Sequence, residues 1–61
     1  MSDETTFISY YHDGRVIWDC SRANVPRTDE HVRIDKILYQ VHSVIWVEED
    51  QNYVKIILKA I

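Results

Sequence analysis

The chain predicts an all-β fold built of antiparallel ribbons, and three observations carry that prediction. First, Phe7–His12 and Arg15–Cys20 are rich in β-branched and aromatic residues and are separated only by Asp13-Gly14. An Asp-Gly pair between such runs favours a type I′ turn, which requires φ > 0 at both central positions. Second, the final stretch alternates strictly: Val54, Ile56, Leu58 and Ala60 fall on one side, and Tyr53, Lys55, Ile57, Lys59 and Ile61 on the other. That period of two is the signature of a half-buried strand. Third, β-branched and aromatic residues dominate His31 to Val47, a composition that favours strands.

Met1 to Thr5 are polar and are expected to fray. In the hairpin that follows, uninterrupted pairing outward from Asp13-Gly14 sets His12 against Arg15, Tyr11 against Val16 and Tyr10 against Ile17. It then sets Ser9 against Trp18, Ile8 against Asp19 and Phe7 against Cys20. One face thus carries Phe7, Ser9, Tyr11, Val16, Trp18 and Cys20. The other carries Ile8, Tyr10, His12, Arg15, Ile17 and Asp19. Only the first is free of charge, so it is the predicted core face. Ser21 to Glu30 reads as a connecting loop, because Pro26 lacks a ladder donor and holds Val25 extended.

His31 to Val47 admits two readings. Val32 and Ile34, Tyr39 and Val41, and Val44 and Trp46 alternate as in strands. Ile34, Ile37, Leu38, Val41, Val44 and Ile45 also recur at helical steps, with Thr28 as an N-cap. An α+β fold with one helix within residues 29–43 is therefore the alternative. After this stretch, Glu49-Asp50-Gln51-Asn52 forms the tip of a last hairpin. A four-residue loop there sets Val47 against Val54, Trp46 against Lys55 and Ile45 against Ile56. A slip of one residue turns Trp46 inward instead.

Sixty-one residues make a single domain, 1–61, with a small core. One cysteine rules out an internal disulfide, and three scattered histidines with one cysteine do not supply a structural zinc set. Seven basic against ten acidic residues give a charge of −3, which argues against duplex binding driven by phosphate neutralisation. No stretch approaches the roughly 20 apolar residues of a membrane span. The polar first residues lack the features of a signal peptide, so a cytoplasmic protein is expected.

Val25 to Trp46 resembles the pattern of small SH3-like β-barrel proteins, many encoded by phages and prophages. Pro26-Arg27 stands for the loop, Val32 and Ile34 for a short strand, Asp35 for a tight turn, Tyr39 and Val41 for the next strand, and Val44 and Trp46 for the following one. Asp29 and Lys36 stand where that pattern has glycine. The resemblance implies a barrel of about five strands, a mobile-element origin and a non-enzymatic role, and it carries over no catalytic residue.

Neither a catalytic nor a metal site emerges from the residues. No His-x-His or Cys-x-x-Cys spacing is present, and a glycine-rich phosphate cradle is ruled out because Gly14 is the only glycine. Cys20 is expected to be a small core hydrophobe rather than a nucleophile. No cofactor is implied. The aromatic content is high for so small a core, and Tyr and Trp are enriched at binding hot spots. The expected role is a non-enzymatic interaction module that binds a host or phage protein through an aromatic and acidic surface. Its candidate residues are Tyr10, His12, Arg15, Ile17, Trp46, Lys55, Glu48, Glu49 and Asp50, with Trp46 and Lys55 as a cation–π pair. Two other readings stand beside it. One is a single-stranded nucleic-acid binder that stacks bases on Tyr10 or Trp46, with Arg15, Arg27 or Lys55 near phosphates. The other is a homodimer joined by edge pairing of Tyr53 to Ile61.

Overall fold

A computed structural model describes residues 5–49 and 52–61. The expected fraying of the first residues falls almost wholly outside that range. Five strands form one sheet: β1 (Thr6–His12), β2 (Arg15–Arg22), β3 (His31–Ile34), β4 (Ile37–Trp46) and β5 (Tyr53–Ala60). The described residues contain no helix, and the stretch 29–43 is strand and turn. The sheet order is β2-β1-β5-β4-β3, and the sheet curls into a half-barrel.

The sheet is mixed rather than wholly antiparallel. β1 runs parallel to β5, with Ile8 beside Val54 and Tyr10 beside Ile56. Parallel neighbours need a long connection, and here everything between the two strands supplies it. β5 is thus the middle strand, flanked by β1 along Tyr53–Ile57 and by β4 along Val54–Ala60. Self-association by edge pairing of β5 has no free edge over that first part. Among the described residues, the free edges of the sheet belong to β2 and β3.

The concave side holds the core: Ile8, Tyr10, Ile34, Tyr39, Val41, Val54, Ile56 and Leu58, all buried. Along β5 the burial alternates as the sequence pattern demands. β1 reverses the expectation. Trp18, opposite Tyr10, stays on the inner side and is 53% exposed because β2 is an edge strand, but Phe7 is 44% exposed where Tyr10 is 3%. The reason is a one-residue bulge at Ile17, between the pairs Tyr11–Val16 and Tyr10–Trp18. It sets Cys20, not Asp19, opposite Ile8 and moves Asp19 to face Ser9. The shift takes Asp19 off this face, leaves Arg15 exposed opposite His12 at the hairpin tip, and lets the apolar residues turn inward. Cys20 does pack against the core, as expected, but with Ile8 rather than Phe7 opposite it.

A second bulge falls at His42, between the pairs Val41–Leu58 and Ser43–Ile57. It lets Tyr39 and Val41 share the concave side with Val44, which lies opposite Ile56. Beyond it, Trp46 pairs with Val54 and Ile45 with Lys55. The one-residue slip is the register adopted, and Trp46 lies on the concave side.

Both short hairpins turn through left-handed residues: Asp13 and Gly14 at φ 58° and 78°, Asp35 and Lys36 at 53° and 70°. Lysine bears a steric cost there that glycine avoids. Lys36→Gly is therefore expected to stabilise the fold by about 1 kcal/mol, raising the melting midpoint by about 4–8 °C. Thermal denaturation followed by circular dichroism checks this, and an unchanged or lowered midpoint contradicts it.

Candidate functional site

Where the half-barrel is open, the loop after β2 leans over the ends of β3 and β4 and encloses a groove of about 880 Å³. Val32, Val44 and Trp46 supply its apolar part, and Arg22, Arg27 and Glu30 its charge. Trp46 is 54% exposed although it lies on the concave side, because β4 ends there and no strand covers the indole.

The loop wall is built, not draped. The Arg27 N–H donates to Glu30 Oε1 at 3.0 Å, and the Glu30 N–H returns a bond to the Arg27 carbonyl at 3.1 Å. Asp29, at φ 75°, lets its own N–H reach the Val41 carbonyl at 2.9 Å while the Val41 N–H donates to Glu30 O at 2.7 Å. Two residues thus oppose one, a bulge geometry that favours glycine and that aspartate tolerates. Gln40 Nε2 adds a bond to Asp29 O at 3.3 Å, and Val25 packs on the core. These ties fix the groove before any ligand arrives, which lowers the entropic cost of binding.

Behind the groove, Arg22 stands near the hydroxyl of Tyr10, whose ring is buried in the core. Burial raises the Tyr10 pKa above the usual phenol value, and the nearby Cys20 adds to the rise. Arg22 opposes both. Unfolded Tyr10 ionises near pH 10 while the buried phenol keeps its proton, so this contribution is full below that pH and lost as pH rises further. Tyr10→Phe is expected to cost about 1 kcal/mol near neutral pH, because it removes the hydroxyl that faces Arg22. That gap should shrink toward pH 11, where the wild type alone carries the ionisation burden. Urea midpoints across this range measure it, and a constant gap would refute the linkage.

The predicted site residues do not form one surface. Tyr10 is core, and Ile17 packs against the core at the bulge, so neither is available as a contact. Both were placed on an open face by a register without the bulge. His12 leans on the Tyr39 ring, with centroids 5.0 Å apart. Arg15 is exposed at the hairpin tip. Lys55 does not pair with Trp46; its Nζ lies 5.6 Å from the Tyr11 ring centroid on the convex side. There Phe7 meets Tyr53 at 5.7 Å, and the Tyr53 hydroxyl donates to Ser9 Oγ at 3.2 Å. A hydrogen bond with Tyr53 also raises the Tyr11 pKa. Glu48 and Glu49 are exposed in the turn beyond Trp46, and Asp50 lies outside the described residues.

Of the predicted residues, then, only Trp46 belongs to the groove. Arg27, weighed for phosphate contact, joins it. Arg22, Val32 and His31 were not foreseen. The signal available for them was the pair of arginines flanking the loop that contains Pro26. Among the described residues no three His, Cys, Asp or Glu side chains gather as a metal site, and no helix is long and apolar enough to cross a membrane.

Fold and groove together define a small all-β half-barrel with a preformed lateral cleft. No protein-family model, no curated protein and no solved structure matches the chain.

Proposed function

We propose that the chain is a non-enzymatic interaction module that holds an extended segment of a protein partner in the groove beside Trp46. One observation carries the reading: a half-exposed indole on the concave side of the sheet, continuous with Val32 and Val44 and faced by a hydrogen-bonded loop. A large, stiff ring next to a small apolar floor is the usual make-up of a binding hot spot. The resemblance of Val25 to Trp46 to small SH3-like barrel proteins supports a non-catalytic role, and it points to a phage or host protein of the cytoplasm as the partner.

Trp18 and Trp46 are the only tryptophans, so Trp18→Phe leaves Trp46 as the sole indole reporter. A random twelve-residue peptide library displayed on phage is panned against the folded protein, and the selected peptides are synthesised. They are expected to shift Trp46 emission saturably. If selection enriches nothing beyond a Trp46→Ala control, the groove is not a peptide site. Single-stranded nucleic acid is the competing ligand, since Arg22 and Arg27 stand near the indole. A ten-nucleotide oligo-dT that saturates the same signal in preference to any peptide favours that reading instead.

A further inference from the structure

Resting on that reading, we infer that the segment held is acidic and adds as a further strand along the free edge of β3. The edge is open by geometry. A two-residue type I′ turn closes on a hydrogen-bonded pair, here Ile34–Ile37. Antiparallel pairs alternate between bonded and non-bonded, so Val32–Tyr39 is bonded and His31–Gln40 and Arg33–Leu38 are not. The Val41–Glu30 bond falls in the same phase. The backbone N–H and C=O groups of His31 and Arg33 therefore point away from β4, at the margin of the sheet. An incoming strand can take up all of them, which is how extended peptides augment sheet edges.

Charge selects the ligand. His31 and Arg33 are exposed on that edge, and Arg22 and Arg27 line the groove beside it. Among the described residues, the one carboxylate lining the groove, Glu30, already accepts from the Arg27 N–H. Although the whole chain carries −3, this corner presents arginines on two sides. A strand on β3 sends alternate side chains to opposite faces. One set falls on the side of Val32, Val44 and Trp46, and carboxylates in the other set fall on the opposite side with the exposed His31 and Arg33. A ligand with glutamate alternating with leucine matches both demands.

The experiment uses the full chain carrying Trp18→Phe and a ten-residue peptide alternating Glu and Leu. Three further probes are its Lys-for-Glu counterpart, a version N-methylated at every second backbone nitrogen in either phase, and oligo-dT. The Glu peptide is expected to bind at least tenfold tighter than the Lys peptide and to weaken as salt rises from about 50 to 500 mM. One phase of N-methylation should abolish binding while the other is tolerated. Arg33→Glu, exposed on β3, should weaken it at least tenfold; the salt dependence of the wild type reads the same charge without any substitution. Equal binding of the Glu and Lys peptides, abolished by Trp46→Ala, overturns the acidic-strand inference and leaves the groove reading intact. So does failure of both peptides while library-selected peptides still bind. Preferential binding of oligo-dT, or no binding by any peptide, overturns both.

Discussion

Ile56→Ala is expected to remove a third or more of the protein's stability. Ile56 is fully buried on the middle strand, with Tyr10 beside it on β1 and Val44 on β4. Truncating such a residue costs about 3 kcal/mol, part transfer and part cavity, because a central strand cannot collapse inward to refill the space. A domain this size has a total stability of roughly 3–9 kcal/mol, so the loss is a third of it or more. In a thermal melt the midpoint should fall by about 12–25 °C, or the transition should vanish. Ile56→Val, which removes one methyl, should cost about 1 kcal/mol and keep a cooperative transition. A drop of only a few degrees for the alanine variant would mean that β5 is not the keystone of the sheet.

Trp46→Ala is expected to do the opposite: to spare the fold and remove the binding. More than half of the indole is open to solvent, and β4 ends at this residue, so truncation should shift stability by under about 1 kcal/mol. A hot-spot tryptophan contributes about 2 kcal/mol or more to binding, so affinity for a library-selected peptide should fall by about thirtyfold. Calorimetric titration of the folded variant measures the change. Unaltered affinity would move the contact surface elsewhere, with the convex cluster of Phe7, Tyr11 and Tyr53 the next place to look.

The strands were legible wherever local chemistry is decisive. Asp13-Gly14 announces its turn, and the alternation from Tyr53 onward announces its strand and its buried face. What the sequence hid was phase. Bulges at Ile17 and His42 each insert one residue, and each inverts the facing of everything beyond it. In β4 the phase break leaves inward residues at 39, 41 and 44, a mix of two- and three-residue steps. The step from Val41 to Val44 is the one part of the helical pattern the bulge produces; Ile37, Leu38 and Ile45, which completed that pattern, are exposed. In β1 and β2 the same effect made the charge-free face look like the core. Only the opposing strand, with Val54 and Ile56 against Ile8 and Tyr10, decides the matter, and that contact is remote in sequence.

The groove was legible only in Trp46 and Arg27. Its other lining residues lie on separate elements, from Thr6 on β1 to Val44 on β4. No local pattern records that they meet.

The parallel seam between β1 and β5 also bears on how the chain finds its shape. The β1–β2 ribbon and the β3–β4–β5 meander are each assembled from near neighbours, on microsecond timescales. Joining them requires β1 to meet a strand some forty residues downstream, so the slow step is the docking of two preformed halves rather than the formation of either. A nick in the loop around Pro26 would leave both halves intact, and the protein should reassemble from the two pieces.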